Sequence, residues 1–174
     1  PIGIKKYFWD NTHDLGKLLI QLFKQRNYLK PETMGYQILF EAYCSLSGGC
    51  YIPREYITEQ REKLKKWTDD VLQQAKDENE DVVRLVKSAI INTLACCPKN
   101  ISESVWPIIE VADILEELSI TDYDDKFRVS SNFYCGYFNR RGVRIVEDGT
   151  AEFQLSSEFK KYQDYYRVSH PVTC

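Results

Sequence analysis

Between Ile101 and Asp125 the chain carries Glu103, Glu110, Asp113, Glu116, Glu117, Asp122, Asp124 and Asp125 without one Lys or Arg. Carboxylates gathered in this way suit one of two tasks. Held in a shaped pocket they move protons; spread along a surface they substitute for phosphates opposite a basic protein and steer its approach. On either side of the stretch bases outnumber acids, so the net charge of −3 arises here alone.

Other chemical signals are sparse. The two histidines, His13 and His170, stand in no catalytic spacing. No Gly-x-Ser-x-Gly, phosphate-binding glycine loop or His-Glu-x-x-His occurs. Cys96 and Cys97 are adjacent, while Cys44, Cys50, Cys135 and Cys174 are scattered without a Cys-x-x-Cys pair, so reduced thiols are expected rather than zinc or a disulfide framework. These observations predict a non-enzyme with no catalytic residue, metal or cofactor. An enzyme with an unfamiliar site is the third reading, to be favoured by acids converging in a deep pocket. The opening Pro1-Ile2-Gly3-Ile4 resembles the start of tautomerase-type enzymes over four residues, too short a match to outweigh the rest.

At 174 residues, 43% of them hydrophobic, the chain can bury one good core, and a single domain over 1–174 is expected. Its apolar runs are too short for a membrane span, and the first residues do not read as a secretory signal, which predicts a cytoplasmic protein. After a short strand at Ile2–Ile4, the spacing of Leu15, Leu18, Leu19, Leu22 and Phe23 predicts a helix over about 12–28. A second helix is expected over 34–46, ending at the Ser47-Gly48-Gly49 loop. A third over 53–76 carries Glu59–Lys63 and Glu62–Lys66 pairs on its solvated face, and a strongly apolar core helix spans 81–97.

The acidic stretch supplies the fifth helix. Pro107 lacks an N–H and so belongs in its first turn, with Ser104 as the N-cap. On a helical wheel Ile108, Val111, Leu115 and Leu118 share one face, Glu110, Asp113 and Glu117 lie nearly opposite, and Trp106 and Ile114 flank the acids. After Asp125 aromatic and β-branched residues dominate, with turn signals at Asn139-Arg140-Arg141-Gly142 and Glu147-Asp148-Gly149-Thr150. An antiparallel β-meander over 126–155 and a tail over 156–174 follow. The expected fold class is therefore α+β: a mainly helical part over 1–120, then the small sheet.

The candidate partner-binding set is Trp106, Glu110, Asp113, Ile114, Glu117, Asp122, Tyr123, Asp124 and Asp125, with Trp106 and Tyr123 as aromatic anchors. The alternative is a nucleic-acid-associated helical regulator using Arg140, Arg141 and Arg144 beside Tyr134, Tyr137 and Phe138, although the aromatic spacing does not match the ribonucleoprotein motif and the net charge has the wrong sign. In size, in its order of helices followed by a sheet, and in the run Glu110–Asp125, the chain resembles the immunity proteins of bacterial contact-dependent growth-inhibition systems. That resemblance implies an antitoxin: an inhibitor that covers the active site of a basic partner, a nuclease toxin domain.

Overall fold

The computed structural model describes residues 2–28, 33–35, 37, 50–98, 106–119, 123–140 and 150–172. Among them the chain is helical and contains no strand. The helices are α1 (Ile2–Asp10), α2 (Thr12–Tyr28), α3 (Tyr56–Glu59), α4 (Leu64–Ala75), α5 (Glu80–Leu94), α6 (Ile109–Leu118), α7 (Tyr123–Arg140) and α8 (Thr150–Tyr166), with a 3-10 turn at Arg61–Lys63.

The expected strand at Ile2–Ile4 is the first turn of α1. Further along the same helix Phe8 and Trp9 are both buried and hold it against the core. Both are fixed by indoles: Trp67 Nε1 donates to the Phe8 carbonyl at 3.3 Å, and Trp9 Nε1 donates to Gln60 Oε1 at 3.0 Å. That second bond falls where the expected long helix over 53–76 is interrupted. Gln60 adopts φ −128° and ψ 36°, so α3 stops and α4 starts again at Leu64. The break displaces the expected Glu59–Lys63 and Glu62–Lys66 pairs: Lys63 donates to Gln60 Oε1 at 3.2 Å and Lys66 to Asp70 Oδ2 at 2.6 Å.

The stripe of Leu15, Leu19, Leu22 and Phe23 seats α2 against α4 and α5. A Cβ at Gly16 would lie 2.6 Å from Gln74 Cγ and 2.7 Å from Gln74 Cβ, so α2 and α4 approach to a distance that only glycine permits. The α5 helix is the centre of the assembly. Asn79 caps it by accepting the Val82 N–H at 3.0 Å, the first-turn acids Glu80 and Asp81 suit the helix dipole, and Val82, Val86, Ala89, Ile90, Ile91 and Leu94 are buried.

Where the β-meander is expected, residues 126–140 and 150–155 belong to two helices, and 141–149 lie outside the described residues. Val129, Phe133 and Tyr137 are spaced by four residues, and the first two are 1% exposed. They form one helical face that packs on α5 and α6. The aromatic residues that favour strands by local preference are gathered instead around Trp106: Phe133 stacks on it at 5.3 Å, Tyr137 lies tilted at 4.4 Å, and Phe159 and Tyr162 of α8 approach at 6.4 and 6.3 Å. Burial of that cluster outweighs β-propensity, which spans only about 1 kcal/mol. Gly136 sits at the contact with α5, where a Cβ would lie 2.8 Å from Asn92 Oδ1 and 3.1 Å from Ala95 Cβ. The tail is helical through Tyr166 and then turns to Val172. Of the helix expected over 34–46, only Met34, Gly35 and Gln37 are described; the Ser47-Gly48-Gly49 and Asp148-Gly149 turns fall outside the described residues.

Candidate functional site

The acidic helix begins later than the sequence suggests. Ile108 is its N-cap, in extended conformation and without a side-chain cap, and Pro107 precedes it, joined to Trp106 by a cis peptide bond. Ser104 lies outside the described residues. On the inner side of α6, Val111, Ala112, Ile114 and Leu115 are buried, and the carboxylates emerge along the remaining strip.

That strip is mated along its length. Arg61 Nε lies 3.4 Å from Glu110 Oε1, and Lys65 on α4 donates to Glu117. The bond to Glu117, reinforced by nearby Asp69, holds the Lys65 amine above the usual lysine value of 10.5. Further contacts come from the end of α8 and the turn after it. His170 Nε2 lies 2.8 Å from Asp113 Oδ1, the Val172 N–H donates to Glu116 Oε1 at 2.6 Å, and the Tyr166 hydroxyl donates to the Pro107 carbonyl at 2.6 Å. An ionised carboxylate only accepts, so His170 carries its proton on Nε2 and, when neutral, accepts from the Ser169 hydroxyl at Nδ1, 2.8 Å away. His170 is 7% exposed.

These contacts enclose an open cleft of ≈ 550 Å³ whose wall is formed by Asp113, Glu116 and Glu117, with Lys65, Lys126 and His170 facing them. The Asp113 and Glu117 side chains remain 60% and 49% exposed despite their partners. Their outer oxygen surface is available to a second cation, and an ion pair so exposed contributes little to stability.

Of the predicted partner-binding residues, Asp113 and Glu117 line the cleft, and Glu110 lies one turn along beside Arg61. Trp106 and Ile114 are 2% and 3% exposed. The Trp106 indole N–H donates to the Cys97 carbonyl at 3.1 Å, inside the core. Tyr123, Asp124 and Asp125 form the first turn of α7 directly before Lys126, and Asp122 lies outside the described residues. Arg140 ends α7, while Arg141, Arg144 and Pro1 lie outside the described residues. Glu116, Lys65, Lys126, Ser169 and His170 were not singled out as partner-binding. Lys65, Glu116 and His170 make their contacts across 52, 56 and 57 residues, for which no local spacing gives a signal.

Among the described residues no group of three His, Cys, Asp or Glu side chains could hold a metal ion, and no helix is long and apolar enough to cross a membrane. Cys50, Cys96 and Cys97 are buried thiols and Cys135 is exposed. No family model, curated protein or solved structure matches the chain.

Proposed function

We propose that the protein is a protein-binding module whose docking face is the cleft between α6, the start of α7 and the turn after α8, and that its partner is a basic protein. The observation that carries this reading is the convergence of Asp113, Glu116 and Glu117 on one open cleft, where they outnumber Lys65 and Lys126 and where Asp113 and Glu117 stay 60% and 49% exposed. Exposed aromatic and aliphatic residues border it in sequence: Phe127, 69% exposed, follows Lys126, and Val168, 89% exposed, precedes Ser169. Carboxylates steer a basic partner, and exposed apolar residues beside them can anchor it once docked. The helices-then-sheet order falls away from the immunity-protein resemblance, since the described residues contain no strand; the size and the acidic run that remain imply as partner a nuclease toxin domain, whose phosphate-binding cleft these carboxylates would fill. The test is inhibition of a basic nuclease domain encoded next to this chain. Asp113→Lys with Glu117→Lys is expected to slow association at least about tenfold at low salt, and less in high salt. An unchanged association rate overturns the reading.

One observation favours a second reading. Ser169, His170 and Asp113 form a hydrogen-bonded series of the residue types found in hydrolases, although hydroxyl and carboxylate occupy the opposite ring nitrogens from the serine-protease arrangement. Covalent labelling of Ser169 by a fluorophosphonate, abolished in His170→Gln, would support a hydrolase; absence of labelling in the folded protein removes it.

A further inference from the structure

The lining of the acidic cleft includes the imidazole of His170. From its contacts we infer that His170 is a proton switch on that face, loosening its hold on a basic partner as the pH falls. The inference rests on the proposed docking face and adds its regulation. Imidazole is the side chain that ordinarily gains its charge between about pH 8 and about pH 5, where carboxylates ordinarily stay ionised and ammoniums charged.

The ring is held at both nitrogens. Nε2 lies 2.8 Å from Asp113 Oδ1, and Nδ1 lies 2.8 Å from the Ser169 hydroxyl. A hydroxyl both donates and accepts. It donates to Nδ1 while the ring is neutral, and it rotates to accept once Nδ1 takes up a proton. Both hydrogen bonds survive the change of charge, so the ring has no cause to leave its place. Packing fixes it further: the His170 backbone N–H donates to the Tyr166 carbonyl at 2.8 Å, and the Tyr166 ring meets the imidazole edge-on at 5.2 Å.

The charge therefore arrives where a partner would dock. Asp113, Glu116 and Glu117 face the imidazole from α6, while Lys65 of α4 and Lys126 of α7 line the cleft with it. Glu110 lies a turn further along, beside Arg61. Three carboxylates against two ammoniums leave the cleft one unit negative, and a proton on His170 brings it to zero. That proton faces Asp113, whose side chain is 60% exposed and open to a partner's cation. Loss of one unit of attraction at about 4 Å in water is a roughly fivefold change in affinity.

The experiment is fluorescence anisotropy of the full chain with an oligoarginine peptide, its termini blocked, at low salt. Guanidiniums stay charged throughout, so the peptide adds no titration of its own. Binding is expected to weaken roughly fivefold from about pH 8 to about pH 5.5. His170→Gln should bind alike at both, and His13→Gln, altered on α2 where His13 meets Gln74 at 2.6 Å, should keep the wild-type difference. Equal wild-type affinity at the two pH values, or a difference that survives in His170→Gln, overturns the inference and leaves the docking face standing. No binding at either pH removes the docking face and the inference with it. Should His170→Gln lose its cooperative melt, calorimetry of wild type and His13→Gln near about pH 6.5, in two buffers of unlike ionisation heat, decides. Both proteins should release protons as the peptide binds, because proton and peptide oppose each other reciprocally. A heat independent of the buffer overturns the inference.

Discussion

Replacing Tyr166 by Phe removes one oxygen from the join between the tail and the acidic helix. The hydroxyl is fully buried and donates to the Pro107 carbonyl at 2.6 Å. The ring itself stays packed, edge-on to Tyr165 at 4.9 Å and to His170 at 5.2 Å, so Phe opens no sizeable cavity. The cost is then that of leaving a buried carbonyl without this donor, about 1–3 kcal/mol. For a chain of this size that lowers the melting temperature by roughly 2–12 °C. Tyr165→Phe is the matched control: Tyr165 is 55% exposed, and a surface change of this kind stays within about 0.5 kcal/mol. Thermal melts by circular dichroism measure both. Trypsin adds a local readout, because Arg167 follows Tyr166 in the turn and should be cut faster in Tyr166→Phe if the turn has loosened. Melting temperatures that agree within about 1 °C for Tyr166→Phe and wild type would refute the reasoning.

Asn79→Ala removes the side-chain cap of the central helix and should cost about 1 kcal/mol in urea denaturation; no change in midpoint would show that the cap is redundant. Glu117→Gln removes the leading cause of the raised Lys65 value. A base whose folded value is raised contributes stability that is complete below its unfolded value, near 10.5, and lost as the pH climbs through the folded one. The difference in denaturation midpoint between wild type and Glu117→Gln, small for so exposed a pair, should therefore shrink as the pH rises above the ordinary lysine value, and a difference that stays constant counts against the pair. Tyr7, whose phenol is also raised, by its hydrogen bond to Asp14, is common to both proteins and drops out of the difference.

The helical periods of α2, α5 and α6 were legible because their apolar residues recur every three to four positions. The same period was present at Val129, Phe133 and Tyr137, but β-branched and aromatic composition pointed to strands, and the period was the better guide. At the candidate site the helical wheel separated the carboxylates from Val111 and Leu115. It could not show that Trp106 and Ile114 are also covered, because the residues that enclose Trp106 arrive from α7 and α8. Nor could it show the mates of the acid row. Arg61, Lys65 and His170 are ordinary surface types in sequence, and only the packing of α4 and the turn after α8 against α6 brings them to the carboxylates.

The bonds from the last turn to the acidic helix and the residues just before it span 56 to 59 positions. Synthesis at about 5–20 residues per second separates such partners by roughly 3–12 s. Throughout that interval Asp113 and Glu116 are on a growing chain that does not yet include His170 and Val172. The acidic cleft is thus a late product of translation, completed after the core helices that support it have been made.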